Sequence, residues 1–450
     1  MPLVIGLDVG TTSAKAVAFT TEGQPVGEGR AGTPWESTDA GVEMTAADLA
    51  AAAGDALAQA AASAPPGEPV RAVGITSMGE SGVLVDRSGR SVAPVIAWHD
   101  TRDRAQVAAL RDEIGEDEFG ATTGKPFRGQ FSLTKHRWLH ERVPEVATAV
   151  RRFNVAEYIV RVLGGEEACE LSLASRTGWF DIAARQWWAA GLDYSRADVG
   201  LMPPLVQAGD PLGTVTAADA HPRLAGAVLT VVGHDHQAAA VGAGATELGD
   251  EVDSCGTAEA LVRTVPPSLT RDEIRVLAQG GVTTDWSIHA GRWSLLAATE
   301  GGLAMERALT QLGVERADLP ALDRAAEHAP TGRIRVTGIG ADELVINGAD
   351  DDVTTAEIWR AVVEAVTDQA VALHRAMAAV AGPHRDLLVT GGWANSAALM
   401  RAKEAGFGPC QRSEVYEAGS RGAAIFAARA AGIFGPDETF GQPADEGAPR

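Results

Sequence analysis

Cysteine is scarce in this sequence of 450 residues, which contains Cys169, Cys255 and Cys410 and no others. The three lie far apart and none forms a CxxC pair, so a disulfide framework, a thiol redox couple and a cysteine-based metal site are not expected. This cysteine usage fits a reducing compartment.

Positive charge is also in short supply. The 38 Lys and Arg residues are outnumbered by 60 Asp and Glu residues, which gives a formal net charge of -22. Because nucleic-acid binding depends on cations that neutralise phosphates, a nucleic-acid partner is not expected. The opening residues, MPLVIGLDVG, lack a basic segment and reach a glycine turn after a few apolar positions. We therefore expect no signal peptide, no membrane association and a cytoplasmic location.

The overall composition is that of a globular protein, with 45% hydrophobic and 22% charged residues. These proportions exclude a disordered or coiled-coil chain. At roughly 100 to 200 residues per domain, the length predicts two or more folding units.

Strand and helix patterns alternate in the first half. The run VIGLDVG, the turn GTTS and the run KAVAFT predict a β-hairpin, and the turn at Glu22-Gly23 predicts a third strand. A helix is predicted from the T-x-x-D capping pattern at Thr45 to the Pro65-Pro66 pair. The apolar run RAVGITSM follows as a buried strand. Strands covered by helices in this order indicate an α/β fold.

The second half contains one long helix. A T-x-x-E capping box at Thr354 and Glu357 predicts its start, and it is expected to end near Val380, before Gly382-Pro383. The run DLLVTGG predicts a strand directly after it. From Phe440 the tail has no apolar pattern and is expected to be frayed.

A repeated pattern suggests that the chain contains two related domains. A segment rich in Pro, Gly and Ala is interpreted as a linker and places the domain boundary near Val231. Before this boundary a strand ends in DVGT (Asp8–Thr11), and after it another ends in DSCGT (Asp253–Thr257). Two such strand-turn-strand loops facing a shared cleft would hold one polyphosphate from both sides.

The first of these loops has the chemistry of a phosphate site. The backbone N–H groups and the hydroxyls of Thr11, Thr12 and Ser13 are donors for phosphate oxygens, and Lys15 supplies a positive charge. Asp8 would hold a hydrated magnesium ion beside them. The alternative is an ordinary hairpin, which also uses Gly and Thr at its turn.

The segment VVGHDHQAAAVGAG places Asp235 between a strand and an alanine-rich helix, where a carboxylate would take the proton from an attacking hydroxyl. Two alternatives remain open. Asp235 would otherwise only cap the helix, or His234 and His236 would bind a metal, although no further His or Cys cluster stands nearby.

Two polar clusters, Met78–Ser81 and Trp98–Arg102, stand at the rims of apolar strands. Carboxylates beside an indole ring suit a polyhydroxylated ligand, because the acceptors take its hydroxyl protons and the ring covers its C–H surface. The alternative is a surface loop in which Asp100 pairs with Arg102 or Arg104.

Near the C-terminus, LLVTGGWANS predicts a strand, a turn at Gly391-Gly392 and a helix that starts near Asn395. This arrangement suits the adenine or ribose end of a nucleotide, although a simple strand-to-helix connection explains it almost as well. The later run of small residues from Gly419 indicates close helix packing rather than ligand contact.

Taken in this order, the motifs resemble those of the FGGY family of carbohydrate kinases, within the actin, hexokinase and heat-shock ATPase superfamily. The resemblance covers nearly the whole chain. GLDVGTTSAK is similar to the first phosphate motif, GITSMGESGVLVD and IAWHDTRD to the sugar-contacting strands, and GHDHQAAAVGAG to the catalytic segment. DSCGTAEAL resembles the second phosphate motif and VTGGWANS the adenosine motif.

The resemblance implies two ribonuclease H-like (actin-like ATPase) domains with a cleft between them. Residues 1–230 would form the N-terminal domain, with the sugar site and the first phosphate motif. Residues 231–450 would form the C-terminal domain, with the catalytic segment and the nucleotide site. The implied activity is transfer of a phosphoryl group from ATP, with Mg²⁺, to a hydroxyl of a small carbohydrate.

The resemblance also implies roles for individual residues, with Asp235 as the general base. The residues expected to contact the substrate are Glu80, Trp98, Asp100, Arg102, Gln130 and His236. Those expected to line the phosphate path are Thr11, Thr12, Ser13 and Lys15, with Gly256 and Thr257 opposite. Those expected to contact the nucleotide are Gly392, Asn395 and Gly301.

Departures from the family pattern argue against glycerol as substrate. Gly79 stands where glycerol kinases carry an arginine, and Gln130 replaces their tyrosine. A ketose such as xylulose, a longer polyol or a sugar acid is expected instead, and a homodimer is a family-level expectation. The competing hypothesis is a non-catalytic or chaperone-like nucleotide-binding regulator on the same fold, which would leave Glu80, Trp98 and Asp235 without a purpose.

Overall fold

The structure is a computed structural model, and it describes residues 1–340, 343–350 and 352–441. The chain forms two compact units. The first unit comprises Met1–Gly242, Asp285–Trp293 and 416–441, and the second comprises Ala243–Thr284 and Ser294–Val415. Of the predicted tail, residues 442–450 lie outside the described residues.

Strands are numbered in chain order. Up to residue 242 they are β1 (Leu3–Val9), β2 (Ser13–Thr20), β3 (Pro25–Gly32), β4 (Glu36–Thr38), β5 (Gly41–Met44), β6 (Val70–Ser77), β7 (Gly82–Val85), β8 (Val95–Ile96), β9 (Arg151–Asn154), β10 (Cys169–Glu170), β11 (Phe180–Asp181), β12 (Gln186–Trp187), β13 (Leu205–Val206) and β14 (Val228–His234). After it they are β15 (Glu251–Cys255), β16 (Glu259–Val265), β17 (Thr283–Trp286), β18 (Trp293–Thr299), β19 (Arg335–Thr337), β20 (Val345–Asn347), β21 (Leu387–Thr390) and β22 (Gln411–Arg412).

The α-helices are numbered in the same way. They are α1 (Ala46–Ser63), α2 (Arg104–Glu113), α3 (Glu116–Thr123), α4 (Ser132–Arg142), α5 (Val155–Val162), α6 (Leu171–Ser175), α7 (Ala189–Ser195), α8 (Asp235–Ala243), α9 (Arg271–Gln279), α10 (Gly301–Leu312), α11 (Leu319–Glu327), α12 (Thr355–Ala381), α13 (Ala397–Phe407) and α14 (Ala418–Ala430). Among the helices of the described residues, none combines the length and apolarity that a membrane crossing requires.

Each unit is built on a mixed sheet, and the two sheets repeat one strand order. In the first unit the order is β14-β6-β1-β2-β3, with β1 antiparallel to β2 and parallel to β6. In the second unit it is β22-β21-β15-β16-β18-β17, with β15 antiparallel to β16 and parallel to β21. The repeat seen in DVGT and DSCGT thus marks the same hairpin, β1-β2 and β15-β16, in two related sheets.

Helices cover both faces of the first sheet because β1 is apolar on both sides. Leu3 and Leu7 pack in one buried cluster with residues of α1, and Val4 packs in another with residues of α14. At Gly6 the backbone of α14 comes so close that a Cβ would lie 1.8 Å from the Ser420 carbonyl oxygen. The small residues of this last helix therefore serve close packing, as predicted.

The capping signals located two helices correctly. Thr45 caps α1, where its side chain accepts the N–H of Asp48. Thr354 and Glu357 form the predicted capping box of α12, which ends at Gly382. The predicted hairpin, the third strand and the strands β6 and β21 are also present.

Three expectations differ from the structure. Val231, the expected boundary, lies inside β14, which pairs with β6, so the segment around Asp235 belongs to the first unit. The expected linker before it is packed, with Leu212 and Val215 buried in the core of that unit. Phe440 is not frayed but buried beside Phe19, at a ring-centroid distance of 5.5 Å.

Candidate functional site

The backbone carbonyl groups of the loop between β1 and β2 accept hydrogen bonds from Thr33 and Trp35. The Thr33 hydroxyl donates to the Gly10 carbonyl (2.8 Å), the Trp35 indole to the Thr11 carbonyl (2.8 Å) and the Thr33 N–H to the Thr12 carbonyl (3.0 Å). Among the residues that the structure describes, none accepts a hydrogen bond from the N–H of Thr11 or Thr12. A loop with bound carbonyls and available N–H groups is suited to an anion.

Asp8 and Lys15 are directly paired across this hairpin, and both meet further charges. Lys15 Nζ lies 3.0 Å from Glu417 Oε2. Burial raises the pKa of Asp8 to about 7, and the nearby Asp235 adds to the rise while Lys15 opposes it. The Oδ1 atom of Asp8 is buried and accepts no hydrogen bond within the described ranges.

Asp235 is the first residue of α8, directly after β14. Its Oδ1 accepts the N–H of His236 (2.7 Å) and lies 3.2 Å from His234 Nε2. Burial raises the pKa of Asp235 to about 7, helped by Glu80 and opposed by the His236 N–H and by Arg176. A capping side chain accepts an N–H two or three residues further along the helix, whereas Asp235 accepts that of the next residue, so a helix cap does not explain this hydrogen bond. Nor does a cap explain a second carboxylate, Asp8, in the same electrostatic environment.

The histidines on either side of Asp235 are neutral at physiological pH. Burial and Arg176 hold the pKa of His234 well below its usual range and lower the pKa of His236 to about 4. Groups of three or more possible metal ligands occur in the described residues at Glu251, His374 and His384 and at Asp253, Cys255 and Glu259. His234 and His236 belong to neither group, so the described structure offers no third ligand for a metal bound between them.

Glu80 is the centre of a buried charge network in the first unit. Arg176 donates to Glu80 through Nε (2.8 Å) and a terminal nitrogen, and its other terminal nitrogen donates to Asp285 Oδ2 (3.2 Å). Lys125 Nζ lies 2.7 Å from Asp285 Oδ1, and all four side chains are at most 3% exposed. The predicted contact residue Gln130 donates to Glu80 as well (3.1 Å).

The backbone of Glu80 is held in an uncommon conformation. Its φ of 64° lies in the left-handed region that non-glycine residues rarely adopt. Its carbonyl accepts hydrogen bonds from the Ser132 hydroxyl and from Arg152. Strain of this kind persists only where the surroundings enforce it, and here hydrogen bonds hold both the carbonyl and the carboxylate of Glu80.

Trp98, Asp100 and Arg102 have clear partners within the first unit. The Trp98 indole donates to Thr11 Oγ1 (2.9 Å), which joins a predicted substrate residue to the phosphate loop. Arg102 pairs with Asp100 (2.9 Å) and Glu43 (2.6 Å). The ion pair weighed as the alternative is therefore present, and substrate contact by Asp100 and Arg102 stays a prediction.

Two glycines that adjoin the predicted nucleotide residues Gly301 and Gly392 pack against the β15-β16 turn. A Cβ on Gly302, at the start of α10, would lie 1.9 Å from the Gly256 carbonyl oxygen and 2.7 Å from that of Thr257. A Cβ on Gly391 would lie 2.5 Å from the Cys255 carbonyl oxygen. Because these two glycines lack a Cβ, α10 and the residues after β21 can pack closely against the β15-β16 turn.

Gly392 and Asn395 lie in a short 3-10 turn, Gly392–Asn395, between β21 and α13. Both are exposed, and the Asn395 amide donates to the Gly392 carbonyl (3.1 Å). The α-helix starts at Ala397, slightly later than predicted, because Ser396 caps it through the N–H of Leu399.

A buried lysine joins the two strands of the β15-β16 hairpin. Lys403 of α13 contacts Asp253 of β15 and Glu259 of β16, and all three side chains are at most 3% exposed. Glu259 in turn accepts the Thr299 hydroxyl (2.7 Å), which accepts the N–H of Gly301 (3.1 Å). The hairpin, α10 and α13 are thereby joined in one hydrogen-bonded network.

Sequence reasoning missed Lys125, Arg176, Asp285 and Lys403, although all four are central to these networks. One signal was available for Arg176 and Asp285, because each stands as a single charge among uncharged neighbours, as in SLASRTGWF, whereas Lys403 lies between Arg401 and Glu404 and gave no such signal. A charged side chain in such a segment needs an oppositely charged or hydrogen-bonding partner if it is buried. The neighbouring sequence does not show which residue that partner is.

Comparison with known proteins agrees with the geometry. Residues 3–242 match the N-terminal domain of the FGGY family of carbohydrate kinases. The chain is 30% identical to a xylulose kinase of Streptomyces coelicolor over 446 residues, covering 96% of this chain and 88% of that protein. It is 29% identical to a glycerol kinase of an Acidovorax species, covering 96% and 91%.

A solved structure shows the same fold. The xylulose kinase of Rhodospirillum rubrum superposes with a TM-score of 0.84 at 24% identity, covering 97% of this chain and 91% of that one. The matched N-terminal domain, the relatives along the whole chain and the shared actin-like ATPase fold agree with the repeated sheets and loops described above. The chain belongs to the FGGY family of carbohydrate kinases.

Proposed function

We propose that this kinase transfers the γ-phosphoryl group of ATP to a hydroxyl of a small polyhydroxylated substrate, with Asp235 as the general base. The observation that carries the proposal is the environment of Asp235. A carboxylate with an ordinary pKa is a weak base, whereas burial raises the pKa of Asp235 to about 7. A general base is most effective when its pKa lies near the working pH.

In this proposal the substrate hydroxyl loses its proton to an oxygen of Asp235 as the phosphoryl group is transferred in line. The N–H groups of Thr11 and Thr12 and the hydroxyl of Ser13 bind phosphate oxygens. Lys15 adds positive charge, shared with Glu417. Donors already fixed in position stabilise the transferred charge without reorganising.

Magnesium fits the residues around Asp8. The buried, unpaired Oδ1 atom and the raised pKa of Asp8 mark a carboxylate that a cation would stabilise. Asp8 would hold the ion through water, and the ion, when bound, neutralises charge on the phosphates.

The second unit would hold the nucleotide through Gly256, Thr257, Gly301, Gly392 and Asn395. The first unit would carry both the sugar residues and Asp235, which modifies the division between residues 1–230 and 231–450 that the sequence predicts. A homodimer and a cytoplasmic location stay predictions.

The substrate side would be formed by Glu80, Gln130, Trp98 and His236, with Asp100 and Arg102 behind them. Gly79 has no side chain, and a Cβ there would lie 3.1 Å from Arg176 Cγ and 3.3 Å from His234 Cδ2. Arg176 therefore supplies the guanidinium beside Glu80, and little room remains for an arginine at position 79. This difference supports a substrate other than glycerol.

The regulator hypothesis is not favoured, because relatives named as kinases match 96% of the chain. The test is an assay of ADP release over a panel of ketoses, alditols and aldonates. Asp235→Asn is the matched variant, because it keeps the shape of the side chain and removes the base. Turnover that a substrate stimulates and that Asp235→Asn abolishes supports the proposal. Equal turnover of the two proteins would refute the role of Asp235.

A further inference from the structure

We propose that Lys135 is a positioning residue, which holds two substrate loops of the first unit at a fixed spacing and thereby selects substrates by length. This inference rests on the proposed function, because it concerns the substrate side of the same site. Lys135 was not among the residues that the sequence motifs singled out.

Two loops of the first unit carry residues proposed above to contact the substrate. Loop 97–103 joins β8 to α2 and includes Trp98, and loop 124–131 joins α3 to α4 and includes Gln130. The spacing between the two loops therefore affects how far apart these contacts lie.

Lys135 contacts both loops. It lies one turn inside α4 and is 2% exposed. Its ammonium group donates to the Asp100 carbonyl (3.0 Å) in loop 97–103 and to the Gly129 carbonyl (3.2 Å) in loop 124–131. The carboxylate of Asp103 lies 3.6 Å from the same nitrogen. An ammonium group has three N–H donors, so these three acceptors match its capacity.

Each loop is also fixed elsewhere in the unit. The carboxylate of Asp100 is bound by Arg102 (2.9 Å), and the side chain of Gln130 donates to Glu80 (3.1 Å). Lys135 is therefore a cross-link between two loops that are already held, rather than the support of either one.

Stability alone does not explain a lysine at this position. Burying an ammonium group carries a large desolvation cost, and an apolar side chain of similar volume often stabilises a protein as well or better. Two of the acceptors of Lys135 are backbone carbonyls, so its hydrogen bonds fix the distance between two chain segments. A misplacement of about 1 Å can lower a reaction rate about 100-fold. A fixed spacing therefore favours a substrate that reaches the contacts of both loops over one that is too short to do so.

Hydrogen exchange of the protein without substrate tests the cross-link directly. In Lys135→Met we expect the amide protons of loops 97–103 and 124–131 to exchange about tenfold faster than in wild type, while the loop between β1 and β2 keeps its rates. Arg142→Met is the control, because it removes an exposed cation from the same helix and should leave all three loops unchanged. Equal exchange in wild type and Lys135→Met would overturn the inference.

Kinetics test the effect on the substrate. The probes are pairs that differ by one carbon, namely xylulose with erythrulose and xylitol with erythritol. We expect wild type to favour the longer member at least about tenfold in kcat/KM, and Lys135→Met to lose most of this preference through a KM raised about tenfold. The KM for ATP should change less than about twofold. Loss of folded protein would instead lower kcat equally on both members and leave each KM unchanged, so that result, or an unchanged preference, would overturn the inference.

A second variant separates positioning from folding. Lys135→Met leaves the buried Asp103 carboxylate without its cation, which lowers Tm. The double variant Lys135→Met/Asp103→Asn removes both charges and should regain most of this Tm, while the KM and the exchange rates stay those of Lys135→Met. Recovery of the wild-type KM together with Tm would overturn the inference. If wild type phosphorylates no member of the panel, the proposed function is contradicted, and the exchange experiment decides separately whether Lys135 cross-links the loops.

Discussion

Replacing Lys403 by methionine tests the buried network beneath the second loop. Methionine keeps most of the length of the side chain and removes the ammonium group that contacts both Asp253 and Glu259. Because neither carboxylate can reach water, the variant must bury uncompensated charge or bind additional protons.

The cost follows from the loss of one partner of a buried ion pair, which is about 3 to 5 kcal/mol. We therefore expect Lys403→Met to lower the free energy of unfolding by about 4 kcal/mol at pH 7.

The loss should depend on pH in a defined direction. Burial already raises the pKa of Asp253 to about 7, opposed by Lys403 and helped by Glu259, so removing Lys403 raises it further. A carboxyl with a raised pKa in the folded state holds its proton there while the unfolded chain releases it. Wild type shares this penalty up to the pKa of its own Asp253, about 7, so the difference in stability between the two proteins should grow as pH rises above about 7.

Urea unfolding and thermal melts of wild type and Lys403→Met at pH 5, 6, 7 and 8 measure both effects. The second unit falls in the size range of 150 to 250 residues for which 1 kcal/mol shifts Tm by about 2 to 4 °C, so the Tm of that unit at pH 7 should fall by about 10 °C. Lys403→Arg is the control that keeps the charge. A loss below about 1 kcal/mol at pH 7, or one that does not grow from pH 7 to pH 8, would refute the reasoning.

Three further predictions concern activity. Asp235→Asn should lower kcat by about 10²- to 10⁴-fold with no loss of Tm, because it removes a base that burial disfavours in its charged form. In the wild type, kcat/KM should fall about tenfold per pH unit below pH 7, because Asp235 must be deprotonated to act and burial raises its pKa to about 7. Gly302→Ala should raise the KM for ATP about tenfold, because its Cβ would lie 1.9 Å from the Gly256 carbonyl oxygen and displace the loop.

Each of these three predictions has a control or an outcome that would contradict it. For Asp235→Asn, binding of ATP by calorimetry should be preserved, and a lost affinity would mean that the residue acts in binding. A wild-type kcat/KM that does not change between pH 5.5 and 8 would contradict the assignment of Asp235 as the base. The control at each pH is that the coupling enzymes do not limit the measured rate. Gly340→Ala, a glycine with open space around its Cβ position, is the control for Gly302→Ala. Unchanged KM values in both variants would refute the role of the close contact.

The elements that sequence predicted well depend on short-range interactions. The helices α1 and α12 were predicted because Thr45 and Thr354 each bind a backbone N–H three residues ahead. The two hairpins could be found because a glycine turn between apolar strands is a local signal. The motif resemblance named the family for the same reason, since each motif is a short contiguous segment.

The boundary near Val231 shows where local patterns mislead. An apolar run after a segment rich in Pro and Gly is typical of a new domain, yet β14 pairs with β6, more than 150 positions earlier in the chain. The strand with which β14 pairs depends on which sheet has an unpaired edge strand in the folded protein. The sequence of β14 itself does not show this.

By itself, then, the sequence determined the α/β class, the two glycine-turn hairpins, the capped helices and the residues of the short motifs. Only the tertiary structure decided which charges neutralise one another. Arg176 reaches Glu80 across 96 positions, and Lys403 reaches Asp253 across 150. The physical reason is that the pKa of a buried group depends on the charges near it in space, which can be distant in sequence. The protein interior screens these charges only weakly, so their effect is large.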